Sequence, residues 1–203
     1  MKIADFSYST KDKLIFEKVD FRFEDNEINF ILGPKQSGKT LLLDKIAETS
    51  RDEAFIGFPR VEEIAYLSEQ NDFLVSLTVA EILEFTNQLG TFVPLLLPVE
   101  IEKLLSHKFN DLSRCQRKLV LIYLNVILDR ELYLFDAPEL DLNLADSKNI
   151  FSWFRNLANR DKTVIVTTNR LDNILDTDNV NYLKNSQEVL VDSYLKVKSR
   201  MAF

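Results

Sequence analysis

An eight-residue run between an apolar segment and an amphipathic segment constrains this chain more than any other feature of its sequence. The run matches the pattern G-x-x-x-x-G-K-[S/T] in full and reads Gly33-Pro34-Lys35-Gln36-Ser37-Gly38-Lys39-Thr40. The short apolar run Ile28–Leu32 before it predicts a buried strand, and the spacing of apolar residues after it predicts a helix over Thr40–Thr49. A strand, a glycine-containing loop and a helix in this order are the context in which the pattern forms a phosphate-binding loop, or P-loop.

The residue types in this loop suit the binding of a polyphosphate. Glycine lets the chain curl until its backbone N–H groups point inward at phosphate oxygens. Lys39 supplies a positive charge to the outer phosphates, the Thr40 hydroxyl can bind Mg²⁺, and the following helix directs its positive end at the same place. We therefore predict that Gly33–Thr40, together with Leu41, binds a nucleoside triphosphate, ATP, with Mg²⁺.

An acidic residue further along the chain supports this prediction. The apolar run Leu132–Phe135 predicts another buried strand, and Asp136 follows directly at its end. An aspartate at that place can hold Mg²⁺ directly or through a water molecule. Asp136 is therefore a second predicted contact to the metal, beside Thr40.

Short apolar strands alternate with helical segments along most of the chain, which predicts an α/β fold with a mostly parallel core sheet. The first 25 residues read as an antiparallel β region. A mainly helical stretch at about residues 72–117 predicts a small subdomain inserted in the P-loop core of a single domain. The other predicted elements are strands at Ile64–Leu67, Thr163–Thr168, Val180–Leu183 and Glu188–Val191, and helices at Thr78–Leu89, Val99–His107, Ser113–Leu128 and Ser147–Asn159.

Composition argues against several other classes of function. The net charge of −7 argues against nucleic acid as a main partner, because such a partner requires a basic face. The single cysteine, Cys115, cannot form an internal disulfide bond, which fits a reducing compartment such as the cytoplasm. The longest strongly apolar stretch, Leu119–Leu128, is too short to span a bilayer, so we expect any membrane association to come through a partner.

The order of the remaining motifs resembles the nucleotide-binding domain of ATP-binding cassette (ABC) proteins over nearly the whole chain. These motifs are Tyr8 in Phe6-Ser7-Tyr8, Gln70 in Tyr66-Leu67-Ser68-Glu69-Gln70, the run Leu77-Thr78-Val79-Ala80-Glu81-Ile82-Leu83, and Leu112-Ser113-Arg114-Cys115-Gln116-Arg117 in the place of the LSGGQ signature. The resemblance implies that Tyr8 stacks on adenine and that Gln70 is a Mg²⁺ ligand that also senses a transport partner. It also implies that Ser113–Gln116 contacts the nucleotide of a second domain across a dimer. From the residues alone, Tyr8 could equally be an ordinary strand aromatic, Gln70 a solvated loop residue and Cys115 a packing residue.

Four motifs depart from the family pattern, and all of them bear on ATP hydrolysis. Ala137 stands where the family has the glutamate that polarises the attacking water, and losing a general base typically costs about 10²–10⁴-fold in rate. Asn169 replaces the switch histidine, so it can hydrogen-bond a phosphate but cannot carry charge or a proton. Arg114 and Cys115 replace the two signature glycines, and Leu142-Asn143 stands in place of the family's Leu-Asp pair.

No intact catalytic set therefore remains, and we expect ATP to be held with slow hydrolysis or none. Glu139 and Asp141 lie close by in sequence and are the candidates to replace the missing carboxylate. Glu139, however, follows Pro138 and is expected to point away from the base position. Arg114 can either crowd a phosphate or add a charged contact to it.

The leading functional interpretation is an ATP-binding subunit of a transporter, cytoplasmic and held at the inner face of the membrane by a separate transmembrane permease. Docking would use the region near Gln70 and the helical subdomain, with Phe92–Val99 either as a contact patch or as the core of that subdomain. A homodimer or a heterodimer with a second nucleotide-binding domain would enclose ATP. The alternatives are a soluble ABC-type regulator and, less favoured because long heptad insertions and a basic face are missing, a DNA-repair or chromosome-structure ATPase head.

Overall fold

The computed structural model describes residues 1–11, 13–48, 53–69, 76–89 and 97–201, without the side chain of Leu89. Two sequence predictions fall outside this part of the chain. Gln70 is one of them, and the first five residues of the apolar stretch Phe92–Val99 are the other.

The described part of the chain contains nine strands and six α-helices. The strands are β1 (Lys2–Ser9), β2 (Leu14–Arg22), β3 (Ile28–Leu32), β4 (Phe55–Ile56), β5 (Ile64–Leu67), β6 (Leu132–Asp136), β7 (Thr163–Thr167), β8 (Asn179–Leu183) and β9 (Val189–Ser193). The helices are α1 (Lys39–Ala47), α2 (Val79–Leu89), α3 (Val99–Glu102), α4 (Arg114–Val126), α5 (Leu144–Ala158) and α6 (Tyr194–Lys198).

The core is a six-stranded sheet in the order β5-β6-β7-β3-β8-β9. Its first five strands run parallel, and β9 pairs with β8 antiparallel. Strands β3, β6 and β7 are buried at every position, as expected for parallel strands that are covered on both faces. The predicted mostly parallel α/β fold is confirmed.

Alternate residues of these strands pack on opposite faces of the sheet. One face places Phe30, Phe135 and Val166 against α4 and α5, with Phe135 and Phe154 stacked at 4.2 Å between ring centroids. The other face places Ile31, Leu134 and Ile165 against α1 and the N-terminal strands. Both faces are therefore covered, and the carboxyl ends of the central strands are left to form a site.

The N-terminal strands form a separate antiparallel sheet in the order β2-β1-β4, which confirms the predicted antiparallel β region. The sequence did not predict β4, because two residues give no periodic signal. This sheet packs through aromatic side chains such as Phe6, Phe16 and Phe21 onto the same face of the core sheet as α1.

A buried asparagine fastens β2 to the core sheet. Asn181, in β8, is fully buried, and its side-chain amide donates to the Arg22 carbonyl at 2.8 Å and accepts from the Arg22 N–H at 3.0 Å. Asn179 donates to the same carbonyl, also at 2.8 Å. These amides satisfy backbone groups at the end of β2 that no neighbouring strand satisfies there.

Some helix boundaries differ from the predicted ones. The predicted helix Val99–His107 is wrong in length, because α3 ends at Glu102 and the chain continues in tight turns. Beyond Lys103 the backbone N–H groups bond three residues back, as where the His107 N–H donates to the Leu104 carbonyl at 2.9 Å. This segment then pairs with the start of α2, where the Val79 N–H donates to the His107 carbonyl at 3.0 Å.

Two further helices also depart from the sequence prediction. Helix α5 begins at Leu144 rather than Ser147, because the Asn143 side chain accepts from the Asp146 N–H and caps the helix at that point. Helix α6 was not predicted at all. The predicted helix start at Thr40 and strand Thr163–Thr168 each agree with the structure to within one residue.

In the part of the chain that the structure describes, no helix is both long enough and apolar enough to cross a membrane.

Replacing Asn181 with alanine tests the fastening of β2. The variant leaves the Arg22 N–H and carbonyl without this buried amide, so we expect the free energy of unfolding to fall by about 1–3 kcal/mol. Urea denaturation measures the change. The matched control is Asn156→Ala on the exposed side of α5, where a change within about 0.5 kcal/mol is expected. Equal effects of the two substitutions would show that the buried amide does not stabilise the fold.

Candidate phosphate-binding site

The P-loop connects β3 to α1 at the carboxyl edge of the core sheet. Gly38 precedes the helix with a φ of 97°, and a Cβ atom there would lie 2.6 Å from Ile15 Cγ2 and 2.8 Å from the Phe16 ring. Gly33 has a φ of 155°, and its Cβ would lie 2.9 Å from the Leu183 carbonyl oxygen. Both glycines are therefore required by the conformation of the loop and by the atoms packed around it.

The Lys39 side chain curls back over this loop. Its ammonium group donates to the Gly33 carbonyl at 2.8 Å and to the Pro34 carbonyl at 2.9 Å. Burial lowers the pKa of Lys39, and the nearby Asp136 carboxylate opposes that shift. The two partners within the loop are neutral carbonyls, so an anion in the loop would stabilise this charge further.

The Asp136 carboxylate joins three elements at the edge of the sheet. It is 2% exposed and accepts from the Thr40 hydroxyl at 2.7 Å and from the Thr167 hydroxyl at the end of β7. The next backbone N–H, of Ala137, donates to Thr167 Oγ1 at 2.9 Å. A hydroxyl and a carboxylate side by side are oxygen donors of the kind that Mg²⁺ prefers, so Thr40 and Asp136 fit the predicted metal site.

A cavity of about 640 Å³ opens above the loop, within the range of nucleotide-sized ligand sites. Its wall contains most of the predicted P-loop and several residues that the sequence did not single out. The lining residues are Thr10, Ile15, Lys35, Gln36, Ser37, Gly38, Lys39, Thr40, Leu41, Glu69, Asp136, Ala137, Leu140, Thr167, Thr168 and Asn169. Ala137 and Asn169, predicted from separate parts of the chain, therefore lie together at one site.

Among the described residues, three predicted nucleotide contacts, Tyr8, Gly33 and Pro34, are not among those that line this cavity. Tyr8 is half-buried beside the loop, and its ring centroid lies 5.0 Å from the Lys45 ammonium group. Ile15, one strand further along, contributes the apolar lining on that side. Stacking of Tyr8 on adenine stays a prediction, as does the role of Gln70, which lies outside the described residues.

The four predicted signature residues occupy the start of α4. Ser113 caps the helix by accepting from the Gln116 N–H at 3.3 Å, while Gln116 Oε1 accepts from the Ser113 N–H at 2.9 Å. Two of the predicted contacts to a second nucleotide thus form a capping box in their own chain. The Cys115 thiol lies 3.4 Å from Asp146 Oδ2, which fits a packing role better than a reactive one.

Arg114, the third departure from the pattern, pairs with the loop that follows β6. Its Nε lies 2.8 Å from Asp141 Oδ2, and the side chains are 76% and 35% exposed. Exposed ion pairs contribute little to stability, so the guanidinium group remains free to change partner.

Glu139 is a site residue whose role the sequence did not predict. It is not among the cavity-lining residues, as expected, but it is only 5% exposed and accepts from the Thr168 hydroxyl. Burial raises the pKa of Glu139, although Thr168, backbone N–H groups and Arg170 act against the shift. Sequence spacing carries no signal for this contact, because Glu139 and Thr168 meet only through the pairing of β6 with β7.

Lys118 on α4 is a second unpredicted charge near the site. Burial lowers the pKa of Lys118, while Glu69, Asp136, Asp141 and Glu139 raise it. Its sequence neighbours gave no reason to single it out, since a lysine on an amphipathic helix normally points to solvent.

The raised pKa of Glu139 predicts a pH-dependent cost to stability. A buried acid with a raised folded-state pKa favours the folded protein below the unfolded pKa of about 4.3, and that stability is lost as pH rises through the folded value. The glutamine of Glu139→Gln cannot ionise. The free energy of unfolding of this variant should therefore rise, relative to that of the wild type, as the pH increases from 4 to 8. Urea denaturation at both values measures the gain, and the other titrating groups are shared by the two proteins. A constant difference between the two proteins would contradict the raised pKa.

No protein-family model matches the sequence. Among curated proteins, it is 29% identical over 184 residues to "ATP-binding cassette sub-family G member 5" of Mus musculus, covering 77% of this chain and 28% of that protein. It is 25% identical over 195 residues to a "Probable iron chelatin transport ATP-binding protein" of Helicobacter pylori, covering 82% of this chain and 76% of that protein. The chain thus spans little more than a quarter of the length of the mouse relative.

Solved structures give a likeness over almost the whole chain. An "ATP binding subunit of ABC transporter" superposes with a TM-score of 0.80 at 18% identity, covering 98% of this chain and 92% of the other. A "nucleotide-free ATP-binding cassette from an ABC transporter" gives a TM-score of 0.72 at 19% identity, covering 98% and 94%. The chain therefore has the fold of an ABC nucleotide-binding domain, and the curated proteins that it is similar to are ABC transporter proteins.

Proposed function

We propose that this chain is the ATP-binding component of an ABC transporter and holds Mg-ATP at the P-loop with weak hydrolysis. The observation that carries the proposal is the joint placement of Lys39, Thr40 and Asp136 at one cavity whose wall also contains Ala137. The first two would grip phosphate and metal, and Asp136 would complete the metal's oxygen ligands. Ala137 offers no group that can accept a proton from water.

The residues of the loop have separate roles in this proposal. The backbone N–H groups of Gly33–Thr40 would bind phosphate oxygens, and the start of α1 would add its positive end. Lys39 would exchange its two carbonyl partners for the outer phosphates. This exchange favours binding, because the ammonium charge and the phosphate charge are then paired. Bound ATP would supply the binding energy that changes the conformation of a partner.

Weak hydrolysis follows from two residues that line the cavity, Ala137 and Asn169. Ala137 carries only a methyl group, and Asn169 is neutral and does not titrate. Glu139, the nearest additional carboxyl group, is directed at Thr168 rather than lining the cavity. None of the three is placed to accept a proton from a water in the cavity.

The proposed partners are a separate membrane-spanning permease and a second nucleotide-binding domain, with the chain on the cytoplasmic side. Exposed apolar side chains of the helical region support a protein partner there. Phe85 on α2 is 57% exposed, Val99 at the start of α3 is 56% exposed, and Leu77 is 43% exposed. Burial of such side chains favours association.

Binding and turnover of nucleotide test the central proposal. We expect the wild type to bind Mg-ATP and to release phosphate far below about 10 s⁻¹, the median for enzymes. Ala137→Glu restores a carboxylate and should raise phosphate release by about 10²-fold or more, the effect of one general base. Isothermal titration and a steady-state phosphate assay make the two measurements.

The control for both measurements is Lys39→Ala, which should abolish binding, whereas Lys103→Ala on the distant surface should leave it unchanged. Fast turnover by the wild type would contradict weak hydrolysis. Failure of the wild type to bind Mg-ATP at millimolar concentration would remove the proposal as a whole.

Co-purification separates the transporter from the alternative, a soluble ABC-type regulator. Transport would be supported if a protein with several membrane spans co-purifies with the native chain and no longer co-purifies with the Phe85→Asp variant. Recovery of soluble partners alone, unaffected by Phe85→Asp, would support the regulator.

A further inference from the structure

The Glu139 carboxyl group connects the loop after β6 to the turn after β7. The Thr168 hydroxyl donates to Glu139 Oε1, and the same hydroxyl accepts from the Arg170 N–H at 2.9 Å. Asn169 thus lies in the middle of a turn whose backbone is fixed on both sides through one hydroxyl and one carboxyl group.

The Asn169 side chain is exposed, although the residue before it in the turn is buried. Asn169 is exposed and lines the phosphate cavity, whereas Thr168 is 2% exposed. Within the described part of the chain, the Asn169 amide makes no side-chain hydrogen bond. The position of this amide is therefore set by the backbone of the turn, and the turn is set by Thr168 and Glu139.

Asn169 lies on the side of the cavity where the metal and the outermost phosphate are proposed to bind. One buried residue, Thr168, separates Asn169 from Thr167. The Thr167 hydroxyl donates to Asp136, the proposed metal ligand. Ala137 lines the cavity as well but offers no polar side-chain atom, and the hydroxyl groups of Thr167 and Thr168 already donate to carboxylates. The Asn169 amide is the neutral donor available there to a terminal phosphate.

We propose that Glu139 is a positioning residue that holds the turn of Thr168 and Arg170 so that Asn169 contacts a terminal phosphate and the site distinguishes triphosphate from diphosphate. This inference rests on the proposed function, because it requires that the cavity binds a nucleotide.

The physical basis is preorganisation of the Asn169 amide. Glu139 is 5% exposed and accepts from the Thr168 hydroxyl, which also lies 3.1 Å from the Arg170 carbonyl, so the turn is tied to the loop after β6 before any ligand arrives. Without the acceptor, the turn must be ordered when the ligand binds, and that cost reduces affinity. A diphosphate does not reach Asn169, so its affinity is not reduced.

The second carboxyl oxygen of Glu139 supports a positioning role for this residue over a purely structural one. Among the described residues, Glu139 Oε2 is buried and has no hydrogen-bond partner. A residue kept only for stability would be replaced with advantage by an apolar side chain of similar size, because an unsatisfied buried oxygen is costly.

The ratio of ATP affinity to ADP affinity, measured by isothermal titration with Mg²⁺, tests the proposal. Glu139→Met keeps the length of the side chain and removes the acceptor, so we expect ATP affinity to fall about tenfold with ADP affinity unchanged within twofold. Glu139→Gln keeps an oxygen for the Thr168 hydroxyl and should restore the wild-type ratio. A purely structural role would weaken both nucleotides together.

A double-mutant cycle with Asn169→Ala tests whether Glu139 acts through Asn169. If it does, adding Glu139→Met to Asn169→Ala changes the ratio no further. Additive losses would overturn the proposal, as would an unchanged ratio in Glu139→Met. If that variant fails to fold, Thr168→Val removes the donor of the same bond and must lower the ratio, otherwise the proposal is wrong.

Failure of the inference and failure of the proposed function give different results. A wild type that prefers ATP to ADP, with a ratio insensitive to Glu139, contradicts the inference alone. A wild type that binds both nucleotides equally also contradicts the inference alone, since no contact distinguishes the terminal phosphate. A wild type that binds neither removes both.

Discussion

The Asp136 carboxylate is the group on which the geometry of the site depends. It is almost fully buried, and a buried carboxylate without hydrogen bonds would be strongly unfavourable. Two hydroxyl groups, of Thr40 at the start of α1 and Thr167 at the end of β7, compensate by donating to its two oxygens. The Asp136 side chain therefore links the start of α1 to the carboxyl ends of β6 and β7, which are already paired through their backbones.

The core sheet explains why that carboxylate can bring such distant segments together. Strands β6, β7 and β3 are adjacent and parallel, so their carboxyl ends meet at one edge. Helices cover one face, and α1 with the N-terminal sheet covers the other. Ligand sites of open parallel sheets lie at this edge, because the loops there leave the packed layers and can turn their side chains inward.

Residues of the segment that follows β6 contact two other parts of the site. Arg114 pairs with Asp141, and Glu139 binds the hydroxyl of Thr168 beside Asn169. The short segment after β6 thereby touches both the start of α4 and the turn after β7.

The sequence by itself determined the P-loop, its strand and helix, Asp136 and most of the parallel sheet, because each of these leaves a local pattern in apolar spacing or glycine position. It could not determine the early end of α3, the short strand β4 or the contact of Glu139 with Thr168. Those depend on contacts between residues that are far apart in the sequence, such as Ile3 with Phe55 and Glu139 with Thr168. Only the tertiary structure decides them, because hydrogen bonds and burial act on groups that are close in space regardless of their separation along the chain.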